Sequence, residues 1–220
     1  EAAGLEDMNG EMACAILEEA ARIGSEVFAP LNVVGDKFPA RLEADGVHET
    51  PGFAGAYRQY ADNGWAALNA DEAYGGQAMP RLLGAVTTEI WYSGCTSLFL
   101  CPLLTTGAVE ALQAHGTEEL KQTYLPDMVS GNWTASMCLT EPQAGSDLAA
   151  VACRAVPQGG HYLLSGQKIF ITWGDHQMTE NIIHMVLVRL PDAPAGVKGI
   201  SLFLVPKFLL DENGRPGKRN

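Results

Sequence analysis

The chain has 220 residues, 47% of them hydrophobic and 18% charged, enough to bury a core in one or two domains. Its 14 basic and 26 acidic residues leave a net charge of −12, which opposes nucleic acid and anionic membranes as partners. Five cysteines (Cys14, Cys95, Cys101, Cys138, Cys153) form no C-x-x-C pair, and no signal peptide or membrane-length apolar run is read, so a cytoplasmic protein without a disulfide or zinc framework is expected.

The first 130 or so residues carry a helical period. Met12, Ile16, Ala20, Ile23 and Val27 recur at three- and four-residue steps with Glu11, Glu18, Glu19 and Arg22 mostly off the stripe, which predicts a helix that Pro30 interrupts. A second helix is predicted over Phe53–Asp62, between Pro51-Gly52 and Asn63-Gly64. A third starts with Pro80 in its first turn and runs to Tyr92, ahead of Ser93-Gly94, and a buried fourth spans Ser97 to His115. Thr117 is the N-cap of a last helix that opens with Glu118 and Glu119, whose charges suit the N-terminal dipole, and ends near Gly131.

From Trp133 the pattern changes to short β-branched or aromatic runs between Gly, Pro and Asp clusters. Strands are predicted at 151–156, 162–164, 168–172, 182–190 and 200–205. Helices first and strands afterwards indicate two segregated domains rather than an alternating βαβ sheet.

One stretch carries chemistry. In MCLTEPQAGSDLAA (137–150) an extended start meets Glu141-Pro142, where proline removes a donor and ends the strand; Gly145, Ser146 and Asp147 then let backbone amides turn around an anion. In GQKIFIT (166–172) a period of two places Phe170 and Thr172 on one face. Gly75-Gly76 lacks a G-x-G-x-x-G or Walker context and reads as a structural turn. Asp175, His176, Glu180 and His184 invite a metal reading, but 182–188 reads as a strand, which breaks the helical spacing a metal site would need; local polar contacts are expected there.

Four stretches in order resemble the acyl-CoA dehydrogenase family: ADEAYGGQAMP (70–80), HGTEELKQTYLPDMVSGNWTAS (115–136), MCLTEPQAGSDLAA and GQKIFIT. Residues 173–209 resemble more narrowly a large-subunit branch that includes methylthiopropanoyl-CoA dehydrogenases. The resemblance implies an α+β fold, with an all-α N-terminal domain over 1–132 and an antiparallel middle β-domain over 133–220, the C-terminal helical bundle of the family lying outside these residues. It implies FAD as cofactor and α,β-desaturation of an acyl-CoA thioester in fatty acid metabolism. It further implies an electron-transfer flavoprotein as partner and a homodimer or homotetramer.

By the same resemblance, Met137, Leu139 and Thr140 line the polar edge of the flavin. Gly145 and Ser146 approach the FAD pyrophosphate or the CoA arm, with Ser146 also touching substrate. Phe170, Ile171 and Thr172 form the segment facing the flavin. Phe170 stands where many relatives carry tryptophan, preserving a stacking surface without an indole donor, and Trp173 stands where a small polar residue is common. The family's general base, a glutamate, matches no position in 1–220, so the chain is expected to be a segment of a longer protein, inactive alone, with no catalytic residue and no metal ligand assigned. An acyl-CoA oxidase and a flavin-bearing, DNA-associated stress protein remain open as alternatives on the same scaffold.

Overall fold

A computed structural model describes residues 8–220. Two compact units emerge, one comprising the chain up to Thr134 together with Asp175–Glu180, the other comprising Ala135–Gly174 and Asn181–Asn220.

The first unit is helical. Helix α1 (Gly10–Ile23) starts at Asn9, whose side chain accepts the Met12 N–H at 2.8 Å. Pro30 does not end the helical run. A π turn over Gly24–Phe28 follows α1, and α2 (Ala29–Lys37) continues directly from it with Pro30 as its second residue. The indole of Trp91 donates to the Ala20 carbonyl at 3.1 Å beside the Gly24 N–H, tying the end of α1 to the helix that carries Trp91. The extra residue rotates the buried face, so Phe28 is fully buried while Val27 is half-buried.

A hairpin of β1 (Arg41–Glu43) and β2 (Gly46–His48) follows, unpredicted although its Asp45-Gly46 pair is a turn signal. Helix α3 (Phe53–Asp62) has the expected ends, with Gly52 in the left-handed region at φ +89°. The loop after it is tied to itself by Gln77, Ala78 and Met79 N–H bonds to the carbonyls of Ala67, Ala70 and Leu68. Gly76 packs so closely on the Ala70 carbonyl that no side chain fits, so the Gly-Gly loop is structural.

The two expected helices over 80–115 are joined as α4 (Arg81–His115), kinked at Cys95, which has φ −151° and ψ 82°. By length and composition α4 is apolar enough to cross a membrane, contrary to the expectation from sequence. Half of its most apolar window is buried, and it packs on α1, α2 and α5 (Glu118–Ser130) as a core helix. Thr117 caps α5 by accepting the Leu120 N–H, and Gly131 ends it at φ +81°. Phe28, Tyr60, Trp65, Trp91 and Phe99 form the centre of this unit; edge-on pairs such as Phe28–Phe99 at 4.6 Å and Trp65–Trp91 at 5.1 Å contribute about 1 kcal/mol each beyond area burial.

The second unit is built on a five-stranded sheet. Its strands are β3 (Trp133–Cys138), β4 (Arg154–Gln158), β5 (His161–Ser165), β6 (Asn181–Arg189) and β7 (Ile200–Pro206), in the order β3-β6-β4-β5 with β7 also on β6. The β4–β5 and β6–β7 pairs are antiparallel, and β4 meets β6 in parallel at Arg154 and Arg189. Cys153, Ala155 and Val188 form a buried cluster with Leu164, Val186 and Phe203 packed on it. A small bulged hairpin of β8 (Phe208–Leu210) and β9 (Pro216–Arg219) completes the unit.

The predicted strand at 168–172 is absent. Left-handed φ values at Gly166 (+134°), Phe170 (+56°) and Trp173 (+51°) break extension there, so the period-two argument that put Phe170 and Thr172 on one face does not hold.

Candidate functional site

Strand β3 runs out at Cys138, and the chain turns back at once. Glu141 and Ala144 exchange backbone hydrogen bonds of 2.9 and 3.0 Å around Pro142-Gln143, a turn in which proline's fixed φ suits the second position. Asp147 then accepts the Ala149 N–H at 3.0 Å and starts a short 3₁₀ turn over Leu148–Ala150.

Glu141 organises this loop. Its residue is 3% exposed, yet its carboxylate is surrounded by donors: the Lys168 ammonium at 2.7 Å, the Ala152 N–H at 2.7 Å, the Cys153 N–H at 3.1 Å and the Gln143 amide at 2.6 Å. Burial raises its pKa, but the bonds from Lys168 and from the Ala152 and Cys153 amides outweigh burial and hold it at about 2. Burial, with the Glu141 carboxylate adding to it, pushes the Cys153 thiol up.

Lys168 joins two stretches 27 residues apart. Its ammonium also donates to the Leu139 carbonyl at 3.0 Å, and the next residue, Ile169, donates its N–H to the Thr140 carbonyl at 2.9 Å. Gly166 lies against Cys153, where a Cβ would clash with the sulfur, and the Cys153 thiol bonds the Gln167 carbonyl at 3.6 Å. Residues 139–141 and 166–169 are therefore held side by side. The structure thus brings Leu139 and Thr140 against the segment that carries Phe170, Ile171 and Thr172.

The remaining candidates fall into three groups. Met137, Leu139, Thr140 and Ile171 are half-buried. Gly145 and Ser146 are exposed beyond the Pro142 turn, and no hydrogen bond among the described residues ties them to Thr140 or Thr172. Phe170 is 89% exposed despite its aromatic ring, and Thr172 is exposed.

These residues fit a flavin in kind. Among the described residues the Thr140, Thr172 and Ser146 hydroxyls make no hydrogen bond to protein, and Phe170 offers an uncovered ring; Thr140 and the residue that precedes Phe170 belong to a frame fixed by a buried ion pair. Hydroxyl donors for a polar ring edge and an aromatic face for stacking are what an isoalloxazine requires. Sequence reasoning missed the roles of Glu141 and Lys168: the first was read as the stop of a strand, the second as the opening residue of a predicted strand over 168–172.

The histidines are engaged locally. His176 is fully buried, its Nδ1 accepts the Met178 N–H at 3.1 Å, and its Nε2 therefore donates to Thr134 Oγ1 at 2.9 Å. His184 bonds Ser136 at 2.7 Å from within extended β6, so it shares no helix face with His176. Glu43, Asp45 and His48 place their ligand atoms within 4.8 Å of one another on the β1–β2 hairpin, where His48 bonds Asp45 at 2.8 Å.

Comparison with known proteins agrees with this reading. Residues 34–132 match the model of the acyl-CoA dehydrogenase N-terminal domain, and residues 136–216 that of the acyl-CoA dehydrogenase middle domain. The chain is 50% identical over 207 residues to 3-methylmercaptopropionyl-CoA dehydrogenase of Ruegeria pomeroyi, covering 94% of this chain and 35% of that protein. Among solved structures it superposes on an acyl-CoA dehydrogenase from Geobacillus kaustophilus with a TM-score of 0.71 and 26% identity, over 91% of this chain and 49% of the other. A structure described as the FAD complex of PigA gives a TM-score of 0.70 and 26% identity, over 91% and 49%. The chain thus spans about a third of the length of its curated relative and about half of these solved chains.

Proposed function

The chain belongs to the acyl-CoA dehydrogenase family through its N-terminal and middle domains, and from that premise we propose that the protein is an FAD-dependent acyl-CoA dehydrogenase. The reaction removes a proton from the α carbon and a hydride from the β carbon of an acyl-CoA thioester, leaving the α,β-unsaturated thioester. Bound FAD supplies the hydride acceptor that no amino-acid side chain can provide. The observation that carries this reading is the pinned pair of segments 139–141 and 166–169, with the partnerless Thr140 hydroxyl on it and the uncovered Phe170 ring and partnerless Thr172 hydroxyl directly after it in the chain.

In this reading Thr140, with the Leu139–Thr140 backbone, orients the polar edge of the ring, and the Thr172 hydroxyl donates from the neighbouring segment. Each such bond contributes about 1 kcal/mol, and more where charge develops on its acceptor. Phe170 covers an apolar face and excludes water from it. Gly145 and Ser146 supply donors to a phosphate of cofactor or substrate from an exposed turn with open space around Gly145. The α-proton acceptor is assigned to no residue of this chain.

The 50% identity to a 3-methylmercaptopropionyl-CoA dehydrogenase supports 3-methylthiopropanoyl-CoA as the first substrate to try. An electron-transfer flavoprotein as reoxidant and a homodimer or homotetramer belong to the same proposal and rest on the family resemblance. A cytoplasmic location is supported by the five cysteines, all free thiols. The net charge of −12 disfavours the DNA-associated alternative.

The test is anaerobic mixing of the intact, purified protein with a panel of acyl-CoA thioesters. Bleaching of the oxidised-flavin absorbance, fastest with 3-methylthiopropanoyl-CoA, is expected. Absorbance that persists with every thioester overturns the reading, and fast reoxidation by oxygen with peroxide release moves it to an acyl-CoA oxidase.

A further inference from the structure

The end of β3 and the segment after Gly166 lie side by side like paired strands, yet they form no ladder, and the reason is chemical. Two successive carbonyls, of Leu139 and Thr140, are taken by two successive residues, Lys168 and Ile169. The second rung is an ordinary backbone N–H at 2.9 Å. The first is made by the Lys168 ammonium, a side chain standing where an N–H would stand in a ladder. A charge-assisted bond to a neutral carbonyl is roughly twice as strong as an amide rung and leaves the backbone of its own residue free to turn. The chain uses that freedom: one residue past Ile169, Phe170 is left-handed with its ring exposed.

The ammonium is itself fixed. The Lys168 side chain is 10% exposed and its second acceptor is Glu141, whose side chain is 2% exposed and bonded besides by Gln143, Ala152 and Cys153. A lysine on the surface would lose several rotatable bonds of freedom to hold this geometry; here the carboxylate, anchored to three points of the loop, holds it in place.

Resting on the flavin-site reading above, we propose that Lys168 is a positioning residue of that site: by bonding the Leu139 carbonyl and Glu141 together, it sets the spacing between the Thr140 segment and the Phe170–Thr172 segment. It touches neither substrate nor cofactor and acts through the two threonines. Glu141 is its anchor, so the pair works as a clasp between two stretches of chain that no backbone ladder holds.

The experiment uses the intact protein with Lys168→Met and Lys168→Arg, and reads two quantities. One is the FAD dissociation constant; the other is amide hydrogen exchange in the FAD-free protein, resolved for residues 166–172 and for the helical unit. Lys168→Met is expected to weaken FAD binding about tenfold or more, the equivalent of one charge-assisted bond. Exchange should quicken over 166–172, with protection in the helical unit unchanged. Lys168→Arg, which keeps charge and donors, is expected to stay near the parent in both. An unchanged FAD constant and unchanged exchange in Lys168→Met overturn the proposal. So does loss of protection throughout the molecule, or failure to fold, because either makes Lys168 a general structural residue. An arginine variant as weak as methionine overturns the assignment to the bonds themselves. If the parent protein binds no FAD, the flavin-site reading fails, and the exchange data alone then report on the clasp.

Discussion

Glu141 is the residue on which the β-unit's polar chemistry converges, and its ionisation couples folding to pH. Its pKa is held at about 2, below the ordinary carboxylate value of 4.5, so the folded state prefers the ionised form. The stabilisation is therefore complete above the unfolded-state pKa and is lost as pH falls through the folded-state value. Urea unfolding at a series of pH values should show about 3 kcal/mol lost between roughly pH 4.5 and 2, and Glu141→Gln should flatten that slope. Phe170 carries the opposite kind of effect. A left-handed φ in a non-glycine residue costs about 1–2 kcal/mol, while glycine's own backbone entropy returns about 0.5–1 kcal/mol of that in the unfolded chain. Phe170→Gly is expected to leave the flavin-free protein as stable as the parent or about 0.5 kcal/mol more so in urea unfolding, while FAD binding weakens. A stability gain paired with a binding loss is the signature of strain kept for a ligand.

At the scale of elements, α4 shows how two glycines in one helix differ. A Cβ on Gly94 would sit 3.0 Å from the Gly24 carbonyl, a backbone atom that cannot step aside, whereas a Cβ on Gly107 meets nothing within 4 Å. Gly94→Ala is expected to lower stability by about 1–3 kcal/mol and Gly107→Ala to raise it by up to about 1 kcal/mol, both read from thermal unfolding. The same contact explains why the Ser93-Gly94 signal was legible as a break and yet the structure has one kinked helix. The glycine serves close packing of α4 on the turn after α1, and the deviation itself falls on Cys95. Caps and turn residues were legible where their effect is local, as at Thr117, Gly131 and Gly52. Pro30 was misread because its influence depends on what precedes it: the ladder widens to a π turn just ahead of it, and the helical run continues past the proline.

At the scale of the molecule, the change from a 3.6-residue to a 2-residue period separated helical from sheet-forming sequence, because side-chain periodicity follows directly from backbone geometry. The motif 137–150 likewise marked a strand end and a polar turn, since proline and glycine restrict or free the backbone whatever surrounds them. Composition and spacing could not reveal that Glu141 would be buried against Lys168, 27 residues on, or that 168–172 would turn instead of pairing. Those outcomes depend on which donors arrive at a buried carboxylate once the chain has folded. Solvation decides them: a carboxylate removed from water takes every donor within reach, and an apolar alternation such as Ile169 and Ile171 is too weak a preference to compete.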